Sequence, residues 1–224
     1  MRIQGLIFDM DGTMVDSMPW HARSWLAFCQ SHGIAVDQDD LLRRTTGRTG
    51  HECMCELFQR ELSTDDSAGL ITQKEDLYRE LFAPVFTEVA GFRAFAARAR
   101  DHGLRLGVGT AGDRHNIAFT MGHLRMATPP DAIVGGDEGL PGKPEPAIFL
   151  EAARRMRVPP QACIVFEDAP LGIEAARRAG MRAVALCTSC KAQELDGLHV
   201  LERVRDYNEL LQGKFLENIH AAST

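Results

Sequence analysis

The chain has 224 residues, of which 31 are Asp or Glu and 25 are Lys or Arg, so its formal net charge is −6. At 45% hydrophobic and 25% charged, it has enough apolar mass to form a core, which excludes disorder as its main state. The acidic balance argues against a protein that coats nucleic acid, because like charges repel along the phosphate backbone. It leaves open a small phosphorylated ligand held by a local patch of positive charge.

Targeting signals and disulfide patterns are both missing from the sequence. The N-terminal apolar run stops at Asp9, which is too short for a signal-peptide core, and no stretch approaches the roughly 20 apolar residues of a membrane span. We therefore expect a cytoplasmic protein without membrane contact, and six reduced cysteines. Cys187 and Cys190 form a single C-x-x-C, but a zinc site of that type needs a second pair of ligands. Redox use of this pair is a less favoured alternative to ordinary thiols.

Apolar periodicity predicts strands alternating with helices, interrupted once by a helical block. The first strand is predicted over residues 2–8. Helices are predicted next over 18–31, 37–44, 50–62 and 66–82. After Pro84 the alternation resumes, with strands over 104–110, 132–135, 162–166 and 182–186 and helices over 91–102, 113–124, 145–156, 170–179 and 207–211. The tail after Lys214 is expected to be loose.

This order of elements predicts an α/β fold with a parallel sheet and one insertion. Strands that alternate with helices form βαβ units, whose strands run parallel. Four consecutive helices are more than one crossover requires, so we interpret residues 17–84 as an inserted helical domain. Residues 1–16 and 85–224 would then form the core. The less favoured alternative is that these helices simply pack on the sheet.

Polar clusters follow three of the predicted strands. Asp9 and Asp11 come after the first strand, Thr110 after the second, and Glu167 with Asp168 after a later one. Ligands of open parallel sheets bind beyond the carboxyl ends of the strands, so we expect these side chains to converge in one cleft. Four carboxylates in one cleft repel each other, and a hard divalent cation would remove that conflict. The cluster therefore predicts a Mg²⁺ site, and Mg²⁺ in turn implies a phosphate ligand.

The same residues suggest distinct chemical roles. Asp9 could hold the metal with one oxygen and attack phosphorus with the other, while Asp11 could transfer the proton. Gly12 permits a tight turn, Thr110 offers a hydroxyl to a phosphoryl oxygen, and Lys143 supplies a compact positive charge. Taken singly, each has an ordinary alternative: a solvated turn, a helix cap or a surface lysine. Their conjunction at strand ends favours function.

This set of residues resembles the four sequence motifs of the haloacid dehalogenase-like superfamily. Asp9-Met10-Asp11-Gly12-Thr13 resembles its first motif, Thr110 its second, Lys143 its third and Glu167-Asp168 its fourth. The resemblance implies a Rossmann-like core with helices on both faces, a Mg²⁺ cofactor and an aspartyl-phosphate intermediate on Asp9. It makes Asp11 the general acid/base. The metal ligands would be Asp9, the backbone carbonyl of Asp11 and Asp168, with Glu167 in or near the shell.

The helical insert resembles the four-helix cap of the β-phosphoglucomutase-like subgroup. Asp16-Ser17 resembles its hinge. His21, Arg48 and Lys74 fall at cap positions that contact substrate or assist proton transfer in that subgroup, so the resemblance makes them candidate substrate-binding residues. The alternative for each is a solvated residue on a helix surface.

One segment departs from the mutase pattern. Thr110-Ala111-Gly112-Asp113-Arg114 stands where the mutase has Ser-Ala-Ser-Lys-Asn, a run that helps to hold the distal phosphate. Ala111 and Gly112 remain candidate substrate-binding residues, but a hydroxyl has become Gly112 and a lysine has become Asp113. Arg114, which follows, is an alternative contact for the second phosphate. A weaker grip on that phosphate favours hydrolysis over phosphoryl return to the sugar.

We therefore predict a Mg²⁺-dependent phosphatase of the haloacid dehalogenase-like type. Its substrate would be a small phosphorylated metabolite, with sugar phosphates as the leading class, and the protein would be a monomer or weak dimer. The alternatives are a phosphohexomutase of the β-phosphoglucomutase type and, with low weight, a phosphorylation-switched signalling domain. Asp11 disfavours the dehalogenase branch, which typically lacks this second aspartate.

Overall fold

A computed structural model describes residues 2–37, 40–41, 44 and 50–221, apart from the side chains of residues 220 and 221. The chain separates into two compact units. One is Ser17–Phe86, and the other joins Met1–Asp16 to Thr87–Thr224. The helical unit thus extends two residues beyond the predicted boundary at 84. No helix among the described residues is long and apolar enough to span a bilayer.

The larger unit is built on a six-stranded sheet in which all neighbouring strands run parallel, in the order β3-β2-β1-β4-β5-β6. The strands are β1 Gly5–Phe8, β2 Arg105–Gly109, β3 Ala132–Val134, β4 Cys163–Glu167, β5 Arg182–Leu186 and β6 Val200–Val204. The predicted parallel-sheet α/β fold is confirmed. Because β1 lies between β2 and β4, the residues that follow these three strands are neighbours at one edge of the sheet.

Successive side chains of the central strands point to opposite faces of the sheet, so the apolar core lies in two layers. Ile7 on β1 packs in a buried aliphatic cluster with Phe149 and Met156 of a helix that crosses one face. Phe8 points to the other face, where it contacts Phe166 and Phe92 with ring centroids 4.8 and 5.3 Å apart. The period of two along a strand thus gives each face its own apolar layer, and helices cover both.

The helices of both units, numbered in chain order, have well-defined bounds. They are α1 Met18–Ser31, α2 Gly50–Phe58 and α3 Thr64–Phe82 in the helical unit, then α4 Phe92–Asp101, α5 Arg114–Leu124, α6 Ala147–Met156, α7 Pro170–Arg178, α8 Tyr207–Gln212 and α9 Phe215–Ala221. Short 3₁₀ turns occur at Ala83–Val85, Pro160–Ala162 and Ala192–Leu195. Half of the predicted helix over 37–44 falls on residues outside the described part of the chain.

The helical unit has its own apolar core. α1, α2 and α3 contribute to a cluster that includes Phe28, Cys29, Met54 and Leu57. Ser63 caps α3, because its hydroxyl accepts a hydrogen bond from the Asp66 backbone N–H at 3.1 Å. This cap satisfies one of the otherwise unpaired donors at the start of the longest helix of the unit.

α2 ends four residues earlier than predicted. Gln59 adopts a left-handed backbone with φ 51°, and the Arg60 N–H bonds the Cys55 carbonyl across the helix end. The Gln59 N–H bonds the Glu56 carbonyl in the same turn. This paired pattern is a Schellman motif, which stops the helix and reverses the chain without a glycine.

Two elements at the C-terminus correct the sequence prediction. The tail after Lys214 is not loose, because Phe215 and Leu216 begin α9 and are 6% and 2% exposed. Phe215 packs near Phe95 and Phe166, which explains why this segment is held.

The strand β6 was not predicted from the sequence. Most of its side chains are exposed, so as an edge strand it lacks the apolar alternation that would reveal it.

Candidate active site

Asp9 lies directly after the central strand and is 6% exposed. Its backbone N–H continues the β1–β4 ladder by bonding the Phe166 carbonyl at 3.0 Å. The ladder therefore fixes the position of Asp9 relative to the end of β4. A carboxylate held this rigidly and this deeply is unusual outside a functional site, because burial of a charge is costly unless it is paired.

Lys143 reaches this carboxylate from the loop between β3 and α6. Its ammonium group donates to Asp9 Oδ1 at 2.5 Å and to Glu167 Oε1 at 2.7 Å. The same ammonium lies over the Phe149 ring, with Nζ 4.9 Å from the ring centroid. One ammonium thus bridges two carboxylates that follow different strands, and an aromatic face restricts it from the side.

Glu167 uses both of its carboxylate oxygens. Oε1 accepts from Lys143, while Oε2 accepts from the backbone N–H groups of Asp168 and Ala169 at 2.5 and 2.7 Å. Those N–H groups lie just before α7, whose N-terminal end favours a negative charge. Gly172 on the same helix allows the close approach, because a Cβ there would lie 1.7 Å from Glu167 Oε1.

Asp168 is held by two hydroxyl groups. Thr13 Oγ1 donates to its Oδ1 at 3.1 Å, and Ser189 Oγ donates to its Oδ2. Gly12 passes beside this carboxylate with φ 73°, and a Cβ at Gly12 would lie 2.1 Å from Asp168 Oδ2. The turn after Asp11 therefore requires glycine both for its backbone conformation and for space.

Three hydroxyl residues of this site were missed as contributors by the sequence reasoning. Thr13 lies in the first motif, where no role is predicted for it, and Ser189 and Thr188 lie outside all four motifs. Thr188 Oγ1 donates to the Gly12 carbonyl at 2.5 Å. Because Thr188 and Ser189 follow β5, the rule of polar residues beyond strand ends could have found them.

The segment after β2 forms a compact turn. Thr110 is 1% exposed, and its Oγ1 accepts from the Gly112 N–H at 2.9 Å. Asp113 caps α5 by accepting from the backbone N–H groups of His115 and Asn116 at 3.0 and 2.9 Å. The carboxylate that replaces the lysine of the mutase pattern thus has a structural role in starting α5. Ala111, between them, is exposed.

Burial and mutual repulsion shape the electrostatics of the acidic cluster. Burial, reinforced by the charges of Glu167 and Asp11, raises the pKa of Asp9 from 3.8 to about 7 against the opposing effect of Lys143. Burial and the charges of Glu167 and Asp9 likewise raise the pKa of Asp168 well above its usual range. Burial opposes the charge of Lys143, but Asp9 and Glu167 outweigh it and raise the pKa of this ammonium.

The donor set fits a hard divalent cation. Ligand oxygens of Asp9, Glu167 and Asp168 all lie within 4.8 Å of one another. With all three carboxylates ionised, one ammonium leaves two negative charges, which a single divalent ion would neutralise. All three donors are carboxylate oxygens, the type that Mg²⁺ prefers. Asp11, which is half-buried in the adjoining turn, forms a backbone bridge with Val15.

The helical unit brings together two of its three candidate substrate-binding residues. Lys74 is 2% exposed, and its ammonium lies 3.0 Å from His21 Nδ1 and 2.9 Å from Glu75 Oε1. The His21 ring stacks on Tyr78, with ring centroids 3.7 Å apart. Lys74 is therefore not the solvated surface charge considered as an alternative. Arg48 lies outside the described residues.

Comparison with known proteins identifies the family. Residues 3–180 match the haloacid dehalogenase-like hydrolase family. The chain is 34% identical over 186 residues to the fructose-1-phosphate phosphatase YqaB of Escherichia coli, covering 82% of this chain and 96% of that protein. It is 31% identical over 208 residues to the validoxylamine A 7'-phosphate phosphatase of Streptomyces hygroscopicus, covering 91% and 94% of the two chains.

A solved structure shares the whole architecture. A family IA, variant 3 hydrolase from Entamoeba histolytica superposes with a TM-score of 0.85 at 26% identity, covering 97% of this chain and 99% of that one. The predicted resemblance, fold class and assignment to the hydrolases are thus confirmed. With its parallel sheet, its acidic strand ends and a match across most of its length, this chain belongs to the haloacid dehalogenase-like hydrolase family.

Proposed function

We propose that the protein is a Mg²⁺-dependent phosphatase that forms an aspartyl-phosphate on Asp9. The observation that carries this proposal is the buried Asp9 carboxylate at the end of the central strand, held by Lys143 at 2.5 Å and grouped with Glu167 and Asp168. A nucleophilic carboxylate must be fixed in direction and ionised. Lys143 fixes Asp9, and bound Mg²⁺ would favour its ionised form over the burial and repulsion that raise its pKa.

The proposed reaction has two displacements. In the first, an Asp9 oxygen attacks phosphorus, the bond to the leaving oxygen breaks, and Asp11 gives that oxygen its proton. In the second, Asp11 takes a proton from water, the water oxygen attacks phosphorus, and the bond to Asp9 breaks, which releases inorganic phosphate and restores Asp9. Lys143 and the Thr110 hydroxyl would stabilise the equatorial phosphoryl oxygens.

Mg²⁺ would be held by Asp9, Asp168 and the Asp11 backbone carbonyl, and it would supply positive charge to the phosphoryl oxygens. In this proposal Glu167 acts mainly through Lys143, since both of its oxygens already accept hydrogen bonds. It remains close enough to contribute to the metal shell.

The relatives support a phosphorylated carbohydrate or polyol as the substrate class. Fructose 1-phosphate and validoxylamine A 7'-phosphate, the substrates in the names of two relatives, both present a phosphate ester on a polyhydroxylated ring or chain. We propose a substrate of the same chemical class here. His21, Arg48, Lys74, Ala111 and Gly112 remain predictions for its binding.

Hydrolysis is favoured over mutase activity by the segment after β2. Asp113 stands where the mutase has a lysine, and its carboxylate caps α5. A negative charge there weakens the hold on a second phosphate, which a mutase must retain between its two half-reactions. A water molecule can then complete the cycle.

The test of the nucleophile is Asp9→Asn in the Mg²⁺-loaded full-length protein. We expect kcat for a generic phosphate ester to fall by about 10⁴-fold or more. Asp101→Asn is the matched control, because Asp101 is an exposed aspartate at the end of α4 and should keep full activity. Near-wild-type turnover by Asp9→Asn would refute the assignment.

The substrate class and the reaction type need a separate assay. Sugar phosphates, polyol phosphates, nucleotides and pyrophosphate are compared by release of inorganic phosphate, with and without Mg²⁺. β-Glucose 1-phosphate is then supplied with a catalytic amount of the bisphosphate. Accumulation of glucose 6-phosphate without phosphate release would reverse the choice in favour of the mutase.

A further inference from the structure

The helical unit contains a second group of metal-ligating side chains, made of His51, Cys55 and Glu61. His51 and Cys55 are four residues apart on α2, so both project from the same side of the helix. The Schellman turn at Gln59 reverses the chain and returns Glu61 to the last turn of α2. One donor atom from each of the three residues lies within 4.8 Å of the other two.

A hydrogen bond to α3 orients the His51 ring for metal binding. The Ser67 hydroxyl donates to the Thr64 carbonyl at 2.9 Å, so its lone pair accepts from His51 Nδ1–H at 2.8 Å. Nδ1 therefore carries the proton, and the Nε2 lone pair is left facing Cys55. Metal-binding histidines are commonly oriented in this way by a partner on the other ring nitrogen.

The spacing of the donors matches the bond lengths of a tetrahedral zinc site. Cys55 Sγ lies 3.6 Å from His51 Nε2. Bond lengths of about 2.3 Å to sulfur and about 2.0 Å to nitrogen, at a tetrahedral angle, require a separation of about 3.5 Å between these atoms. His51 and Cys55 are half-buried, whereas Glu61 is exposed and can rotate toward them without disturbing the core.

We propose that His51, Cys55 and Glu61 form a second metal site, which takes Zn²⁺ or a similar borderline transition ion. The nitrogen, thiolate and carboxylate donors are those of zinc sites, whereas Mg²⁺ prefers oxygen alone. Three protein ligands leave a fourth position for water. On binding, the metal–sulfur bond replaces the S–H bond of Cys55, and one proton is released to solvent.

The site would add a metal-mediated connection within the helical unit. Its ligands come from α2 and from the segment that follows it, and the Ser67 bond extends the connection to α3. An ion bound only in the folded state stabilises that state by mass action. The site is independent of the proposed phosphatase reaction, since none of its residues belongs to the acidic cluster around Asp9.

The test is Co²⁺ titration of the full-length protein in saturating Mg²⁺, followed by displacement with Zn²⁺. Co²⁺ bound to a thiolate gives a sulfur-to-metal charge-transfer absorption that carboxylate sites cannot give. We expect one equivalent of this absorption, its loss on addition of Zn²⁺, and release of one proton per ion. Cys55→Ser should abolish the absorption, and His51→Ala or Glu61→Gln should weaken Co²⁺ affinity tenfold or more.

The double variant Cys187→Ser/Cys190→Ser is the control, because these are the two cysteines of the C-x-x-C and both are half-buried. It should keep the full absorption. Circular dichroism of each variant without metal confirms that folding is retained, and Glu61→Gln changes an exposed side chain whose loss should leave the fold intact. Absence of the absorption in the wild-type protein, or its persistence in Cys55→Ser, would overturn the proposal.

Discussion

Each of the two units holds a lysine with little exposed surface, Lys143 with a side chain 12% exposed and Lys74 at 2%, and the two lysines are held in different ways. In the core, Lys143 bridges the carboxylates of Asp9 and Glu167, residues 134 and 24 positions away in the sequence. In the helical unit, Lys74 meets the adjacent Glu75 and the His21 imidazole. One ammonium is surrounded by buried negative charge, and the other by a single carboxylate and aromatic rings.

Because of this difference, we expect the lysine charge to contribute more to stability at Lys143 than at Lys74. Removing Lys143 would leave two buried carboxylates without the ammonium that bridges them, whereas Lys74 contacts a single carboxylate, that of Glu75, whose side chain is 18% exposed. Trp25 and Tyr78 also face Lys74, with its Nζ 5.0 and 5.7 Å from the ring centroids. An apolar side chain could therefore replace Lys74 with little loss of packing, but not Lys143.

The largest effect is expected from Lys143→Met. Loss of the ammonium should lower kcat by about 10³-fold or more, because it removes the charge nearest the proposed nucleophile. The metal-free protein should also lose about 3–5 kcal/mol of unfolding free energy, the usual cost of breaking a buried pair. Kinetics and urea denaturation measure both. Lys191→Met, at an exposed lysine, should change neither kcat nor the unfolding free energy. An active Lys143→Met would contradict the larger role assigned to Lys143.

Asp168→Asn should act on metal binding. One oxygen of Asp168 would become an amide nitrogen, which cannot serve as a ligand and repels the cation, so Mg²⁺ affinity should fall by about 10–100-fold. Calorimetric Mg²⁺ titration measures this change. The Asp137→Asn protein, altered at an exposed loop aspartate, should bind Mg²⁺ like the wild type. Unchanged affinity in Asp168→Asn would remove this residue from the metal site.

Lys74→Met tests the other side of the comparison. We expect unfolding free energy to change by only about 1 kcal/mol, since an apolar replacement for a buried charge is often close to neutral. If Lys74 binds substrate, KM should rise while kcat stays within about threefold of wild type. A fall in kcat as large as that expected for Lys143→Met would show that the two lysines contribute equally to catalysis.

Stabilisation by Mg²⁺ should depend on pH through the Asp9 carboxyl group. Burial raises the pKa of Asp9 in the folded metal-free protein to about 7, above its unfolded value of 3.8. The folded state then binds the proton more tightly, so metal-free stability falls as pH rises between about 4 and 7. In the proposed metal site, Mg²⁺ would compete with that proton.

The increase in Tm caused by Mg²⁺ should therefore grow from about pH 5 to about pH 8. Thermal melts at matched ionic strength, with and without Mg²⁺, measure it at each pH. An increase in Tm that is constant or shrinks over this range would contradict the link between the Asp9 proton and the metal.

The core site was largely predictable from the sequence, because a parallel sheet gathers the residues that follow its strands. Asp9, Glu167 and Asp168 each follow an apolar run, and the structure brings them within one cluster with Lys143. Thr13 and Ser189 escaped notice because hydroxyl residues after strands are common. Only the close approach of both hydroxyls to Asp168 distinguishes them.

The helical unit was less predictable in its details. Its helices were expected, but the end of α2 depends on a left-handed Gln59, a residue type that gives no sequence signal for such a turn. The approach of His51, Cys55 and Glu61 follows from that turn and could not be foreseen. Likewise, α9 is held by contacts of Phe215 with distant rings rather than by local propensity.

Acid quenching during turnover of a radiolabelled phosphate ester tests most directly whether Asp9 accepts the phosphoryl group. Peptide mapping of the quenched, Mg²⁺-loaded wild-type protein should locate the label on Asp9, as an acyl phosphate that hydroxylamine removes. The label should be absent from Asp9→Asn. Product release without any labelled protein, or label on a different residue, would contradict the account.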